Sequence, residues 1–232
     1  MKTAFIVTSA INTRFGVFDP TARMLQTMDT IKSIKAKVPD AYIILLEMAG
    51  APLLDDRKAL LQKEVNLILD YSSDKIVQGI YENPNWDVVK SSTELMCFGN
   101  ALRAIEPYVS KCDRIFKLSG RYVLNDNFDI NNYTNNKIVF AKRRPSQFPS
   151  TVTGGVTEQY MSRCWSFPTT MYNDVYHQFL QMKEHMTKIV NAGGYIDIEH
   201  LLFKFTPPDR VLEIGTVGVE GRLGPNGVRI ND

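Results

Sequence analysis

Apolar and polar positions along the chain follow two periods in turn. Residues 3–10, "TAFIVTSA", form a β-rich apolar run that ends in small polar residues. In "TARMLQTMDTIKSIKAKVP" the apolar side chains Leu25, Met28, Ile31 and Val38 recur near a 3.6-residue period up to Pro39, which predicts a helix. "AYIILLEM" (41–48) is a continuous apolar run ending on Glu47, the pattern of a strand covered on both faces. A helix is predicted over "LLDDRKALLQKEV", a strand over "NLILDYS", and a long helix over "WDVVKSSTELMCFGNALRAIEPYV", with Val89, Leu95, Leu102 and Ile105 on one stripe. "DRIFKLSG" and "NKIVFAKR" read as two more strands. Strands alternating with helices predict an α/β fold, a mostly parallel central sheet with helices on both faces. Ligands of such sheets sit beyond the carboxyl ends of the strands.

After residue 145 the pattern changes. "PSQFPSTVTGGVTEQYMSRCWSFP" reads as a loop and a small antiparallel excursion, with Thr-Gly-Gly as a turn. Thr169 is placed to cap a helix carrying Val175, Phe179, Met182, Met186 and Val190, closed by Gly193 and Gly194. "YIDIEHLLFKF" repeats the helical spacing through Ile198, Leu201, Leu202 and Phe205. The tail "GVEGRLGPNGVRIND" is turn-rich and reads as partly mobile. No repeat or linker divides the chain, so one domain over 1–232 is expected, with the change of pattern separating 1–145 from 146–232.

Composition narrows the classes. With 44% apolar and 22% charged residues the chain can bury a sizeable core. Its 27 basic and 25 acidic side chains nearly cancel, which disfavours a dedicated nucleic-acid binder, because such binders collect phosphates through a strong positive field. Cys97, Cys112 and Cys164 are few and scattered, fitting reduced thiols in a cytoplasm. His177 and His185 have no partner at metal-ligand spacing. The first apolar run, "AFIV", is too short for a secretion signal or a membrane span.

The common nucleotide and hydrolase motifs are missing: no G-x-x-x-x-G-K-[ST], no G-x-G-x-x-G after the first strand, no G-x-S-x-G and no H-E-x-x-H. What stands out is "DRIFKLSGRYVLNDNFD" (113–129), which raises Lys117, Gly120 and Arg121 at the exit of a core strand. Gly120 permits close approach of backbone and ligand, while Lys117 and Arg121 can neutralise a diphosphate. A solvated basic turn is the competing reading of the same residues. Lys90 and Glu94, an i, i+4 pair on the long helix, fit a surface salt bridge as well as a ligand contact.

The order of elements resembles the GT-A fold of nucleotide-sugar glycosyltransferases. More narrowly, "KLSGRY", "IEHLLF" and "VEGRLGPNG" are similar to a group of such transferases found in polysaccharide gene clusters and in viruses of microbes. The resemblance implies nucleotide contacts from Thr8, Ser9 and Ala10 at the end of the first strand, while Arg23, at the start of the first helix, faces a phosphate or caps its own loop. It implies ribose or base contacts from Glu47, and substrate contacts from Ser119 and Tyr122 within the "KLSGRY" patch. GT-A enzymes usually carry an Asp-x-Asp where this chain has Ser119-Gly120-Arg121, and that acidic pair holds a divalent ion on the sugar diphosphate. Manganese or magnesium therefore stays open as a cofactor, with Lys117 and Arg121 as the alternative means of neutralising the leaving group.

For a general base the helix "YIDIEHLLF" is the candidate segment. With its apolar stripe on the core, Asp197 and Glu199 fall on the two borders and His200 faces solvent. Glu199 is the preferred base, Asp197 the second, and His200 is kept because its ordinary titration range lies near neutral pH. A helix-terminal acid without catalytic work is the alternative for Glu199. Trp165 and Tyr160 can stack on a sugar or pack in the core, and Arg163 can bind an anionic group. The expected activity is transfer of a sugar from a nucleotide-diphosphate donor to a glycan or lipid-linked acceptor. The rivals are a nucleotidyltransferase that makes sugar nucleotides and a catalytically inactive glycan-binding protein.

Overall fold

A computed structural model describes residues 1–232. The chain runs β1 (Thr3–Ser9), α1 (Pro20–Lys37), β2 (Tyr42–Glu47), α2 (Asp55–Gln62), β3 (Leu67–Asp70), α3 (Lys75–Tyr81) and α4 (Trp86–Val109). It continues β4 (Arg114–Ser119), β5 (Tyr122–Leu124), β6 (Ile138–Ala141), β7 (Arg144–Pro145), β8 (Glu158–Gln159) and β9 (Cys164–Pro168). α5 (Tyr172–Asn191), α6 (Ile198–Phe205), β10 (Val211–Ile214), β11 (Val219–Arg222) and β12 (Arg229–Asn231) complete it.

Seven strands form the central sheet in the order β10-β6-β9-β4-β1-β2-β3. β1 pairs in parallel with β2 and β4, β2 with β3, and β6 with β10, whereas β9 runs antiparallel between β4 and β6. Alternation along β1 feeds two cores, as the two-residue period of a strand requires. Ala4 and Ile6 join the cluster under α4, α5 and α6. Phe5 and Val7 join the cluster with Ile31 and Ile34 of α1. Register then fixes the site: Thr8 lies beside Ser119 and Ser9 beside Glu47, so the ends of β1, β2 and β4 share one edge.

The helices begin where side chains can satisfy their free N–H groups. Asp19 accepts from Ala22 N–H at 2.7 Å with Pro20 in the first turn, and Asn85 accepts from Asp87 and Val88 N–H ahead of α4. Asp197 caps α6 through His200 N–H at 2.9 Å.

Several expectations are corrected. The helix expected from Thr169 starts at Tyr172, after a 3₁₀ turn over Thr169–Met171, and no side chain caps it. α3, β5 and β10 are too short to carry a hydrophobic period and were not anticipated. The tail read as turn-rich supplies β11 and β12, which form a three-stranded antiparallel sheet with β5. The cause is pairing over a distance of about a hundred residues, which local composition does not encode.

Candidate active site

A cleft of about 350 Å³ opens at the carboxyl ends of β1 and β4. Its walls come from the β1–α1 loop, the first turns of α4, the β4–β5 turn, Ser162 and Arg163 before β9, Glu199 of α6, and the tail at Leu223–Pro225. Eleven residues singled out from the sequence meet there: Thr8, Ser9, Ala10, Arg23, Lys90, Glu94, Ser119, Arg121, Tyr122, Arg163 and Glu199. Five cationic side chains, Arg14, Arg23, Lys90, Arg121 and Arg163, face two carboxylates, Glu94 and Glu199, so the cleft is positive although the whole chain is nearly neutral.

One wall is made of guanidinium groups. Arg23, on the first turn of α1, is buried and donates to Phe15 O at 3.3 Å. Burial, and then the charge of Arg121, push its pKa down to about 10. Arg121 lies 5.6 Å from the Tyr122 ring centroid, and Arg163 approaches the same ring at 5.8 Å. The Nε atoms of Arg23 and Arg121 are both buried without a hydrogen-bond partner. Gly16 and Gly224 roof this pair. Gly16 has φ +89°, and a Cβ there would lie 2.6 Å from Gly224 O and 2.9 Å from Arg23 Nη2. A Cβ on Gly224 would meet Arg23 Nη2 at 3.4 Å and Arg121 Cζ at 3.5 Å. Val17 N–H donates to Gly224 O at 3.0 Å, tying the β1–α1 loop to the tail.

The opposite wall carries Glu199. Its Oε1 accepts from Ser162 Oγ at 2.6 Å and from Lys90 Nζ at 3.2 Å, and the side chain is 12% exposed. Burial would lower the pKa of Lys90, but Glu199 and Glu94 outweigh it and raise the pKa above the ordinary lysine value. Lys90 and Glu94 face the cleft, not bulk solvent as a surface pair would.

Lys117 sits elsewhere than expected. It is buried beneath the cleft, with Nζ 2.5 Å from Glu94 Oε1, 2.6 Å from Ser162 O and 2.9 Å from Ser119 Oγ. The ion pair with Glu94 and the two hydrogen bonds, to Ser162 O and Ser119 Oγ, occupy the ammonium group. β4 is covered on both faces, so its lysine points into the core. Burial opposes charge on Glu94, yet Lys117, Lys90 and Arg121 hold its carboxyl below the usual range. Gly120 also serves the scaffold: its N–H donates to Thr8 O at 2.7 Å, and a Cβ would lie 3.1 Å from that oxygen and 3.3 Å from Thr27 Oγ1.

Five more candidates lie outside the cleft. Glu47 is fully buried and accepts from Ser9 Oγ at 2.5 Å, Ile11 N–H at 3.0 Å and Ala49 N–H at 3.1 Å. It shapes the loop after β1 instead of facing a ribose. Trp165 is buried against Phe98, Phe140, Phe167 and Phe179, and Tyr160 stacks on Phe140 at 4.4 Å. Asp197 is the cap of α6. His200, expected to face solvent, is wholly buried: Nδ1 meets Asp197 Oδ1 at 2.6 Å and Nε2 meets Ser146 Oγ at 2.7 Å. The loop before β8 folds over that side of α6, a tertiary contact the helical wheel does not contain.

Sequence reasoning passed over Ser162, Phe15, Gly16, Tyr81, Trp86 and Gly224, all of which line the cleft. Gly16, in the loop leaving the first strand, was the one visible signal. Phe15 and Tyr81 face each other at 5.9 Å, and Trp86 is 43% exposed at the start of α4.

No protein-family model matches the chain, and no curated protein matches it in sequence. Among solved structures, core-mannan synthase A from Aspergillus fumigatus, in its Mn/GDP form, is similar with a TM-score of 0.50 and 8% identity, over 95% of this chain and 74% of that one. The 4-diphosphocytidyl-2C-methyl-D-erythritol synthase from Anaerococcus prevotii has a TM-score of 0.44 and 12% identity, over 99% and 92%. The fold is GT-A-like: a mostly parallel central sheet with flanking helices and a small antiparallel sheet. No helix is long and apolar enough to cross a membrane.

A divalent ion of the kind that fold usually carries does not fit the residues present. The β4–β5 turn offers Ser119, Gly120 and Arg121 in place of acidic ligands, and Glu94 is already bound by Lys117. No three His, Cys, Asp or Glu side chains converge in the structure.

Proposed function

We propose that this protein is a glycosyltransferase that moves a sugar from a nucleotide-diphosphate donor to a hydroxyl of a glycan or lipid-linked acceptor, in polysaccharide assembly. The observation that carries the reading is the polarity of the cleft: guanidinium groups on one wall and the half-buried carboxylate of Glu199 on the other. Its position at the carboxyl ends of parallel strands supports a nucleotide ligand.

In this reading the diphosphate lies against the cationic wall and the sugar points toward Glu199. Both contacts of Glu199 fall on Oε1, leaving Oε2 to accept the proton of the acceptor hydroxyl. The acceptor oxygen then bonds to the anomeric carbon. The bond from that carbon to the diphosphate oxygen breaks, and the electron pair leaves on the diphosphate. Direct attack of this kind inverts the anomeric centre. The arginines stabilise charge that grows on the leaving group, and the cleft holds donor and acceptor in line.

A sugar-nucleotide nucleotidyltransferase on the same cleft is the second reading. Against it, the β1–α1 loop carries Arg14 and a single glycine, Gly16, but no lysine. A thermal-shift panel of UDP-, GDP-, CMP- and dTDP-sugars, with and without manganese, tests the proposal. One nucleotide-diphosphate sugar is expected to raise the melting temperature, since it binds only the folded form. Absence of any shift across the panel overturns it.

A further inference from the structure

Arg23 and Arg121 form an unusual pair. Arg23 is buried and Arg121 half-buried beside it, both have an Nε that is buried and unpartnered, and no carboxylate lies within salt-bridge distance of either. The other cations around the cleft are accommodated differently. Lys90 pairs with Glu199, Arg163 with Asp232, and Arg14 is exposed while donating to Asn83 O at 3.0 Å. A folded chain that brings two like charges together without a counter-ion pays for it in repulsion, unless an anion completes the arrangement.

The roof over the pair gives the scale of that anion. Gly16 and Gly224 leave the guanidinium faces uncovered where any side chain would meet them. A bidentate acceptor with several oxygens, reaching both guanidiniums at once, matches this space better than a single carboxylate does.

We propose that Arg23 and Arg121, beneath Gly16 and Gly224, are a metal-free seat for the donor's diphosphate, doing the work that a divalent ion does in metal-dependent transferases. This inference rests on the nucleotide-diphosphate reading of the cleft and adds the means of neutralising the leaving group. Arg23 takes the position that Lys117 was expected to fill, and the pair is built from α1 and the β4–β5 turn together. Repulsion between the guanidiniums and an incoming divalent ion would make the two solutions exclusive at this spot.

The test is calorimetric titration of the full chain with inorganic pyrophosphate, UDP and GDP in EDTA, then with added manganese. Arg121→Gln, Arg23→Lys and Gly224→Val are compared with the parent, each first shown by circular dichroism and thermal melting to be folded. Pyrophosphate and at least one nucleoside diphosphate are expected to bind in EDTA. Arg121→Gln and Gly224→Val should each weaken that binding at least tenfold, with manganese changing the parent's affinity less than twofold. If binding appears only with manganese, the metal-free seat is wrong while the nucleotide-sugar reading stands. Binding in EDTA that is indifferent to all three variants also overturns the seat. No binding of pyrophosphate or nucleoside diphosphate under either condition removes both.

Discussion

Lys117 Nζ lies 2.5 Å from Glu94 Oε1, and the side chains are only 1% and 5% exposed. The pair belongs to a charge network beneath the cleft, because Glu94 also feels Lys90, Lys90 binds Glu199, and Lys117 binds the carbonyl of Ser162, whose hydroxyl binds Glu199. The network fixes where Glu199 stands. Removing one member of a buried pair strands the other charge, at a cost of about 3–5 kcal/mol. Lys117→Met and Glu94→Leu are each expected to lose about that much in urea unfolding. The double replacement Lys117→Met with Glu94→Leu should recover most of it, and strict additivity of the two losses would contradict the coupling.

Glu199→Gln keeps the shape of the base and removes its ability to take a proton. Turnover is expected to fall by about 10²–10⁴, while affinity for the nucleoside diphosphate changes little, because the diphosphate wall is built from other residues. Steady-state kinetics beside calorimetry would separate the two effects. Turnover within a few-fold of the parent excludes Glu199 as base.

Glu47 should impose a pH dependence on stability. Burial raises its pKa from the ordinary 4.5 to about 7, with the donors Ser9, Ile11 and Ala49 drawing it back only in part. The folded chain therefore holds a proton that the unfolded chain has released between these values. Its contribution is fully present below about pH 4.5 and is lost as pH rises through about 7. The full loss is on the order of 3 kcal/mol. In Glu47→Gln the amide oxygen can accept from Ile11 and Ala49, and its NH₂ can donate to Ser9. That variant is expected to be more stable than the parent at pH 8 and to show a flatter profile between pH 5 and 8. Parallel profiles for the two proteins would rule the effect out.

His200 holds α6 against the loop before β8. Its Nδ1 lies 2.6 Å from Asp197 Oδ1 and its Nε2 2.7 Å from Ser146 Oγ, so the ring bridges the helix cap and the loop. His200→Ala leaves Asp197 and Ser146 without the ring, and a loss of about 1–3 kcal/mol is expected in thermal or urea unfolding. A change below a few tenths of a kcal/mol would mean the ring is not anchoring this helix.

The sheet and its helices were legible because β1, β2, β4 and α4 carry strong periods of their own, and α4 is bounded as read, at Trp86 and Val109. Legibility failed where the deciding contact is remote in sequence. Lys117 and His200 look like surface residues to any local rule, since nothing near them announces Glu94 or Ser146. Trp165 read as core ahead of a sugar platform, and the antiparallel place of β9 between β4 and β6 makes it core. The tail lacked a signal altogether, because Gly224 acquires its role only when β11 and β12 pair with β5. Arg23, in contrast, was visible as a cation following the first strand, and the roof joins it to Gly16.

The central claim is the chemistry of the cleft, and phosphorus NMR reads it directly. The protein is incubated with each nucleotide-diphosphate sugar from the thermal-shift panel, water serving as the slow default acceptor, and separately with nucleoside triphosphates plus sugar 1-phosphates. Release of a nucleoside diphosphate from one of the sugars, abolished in Glu199→Gln, is the expected result. Formation of inorganic pyrophosphate from a triphosphate and a sugar 1-phosphate, with no diphosphate release, would contradict it and make the protein a nucleotidyltransferase.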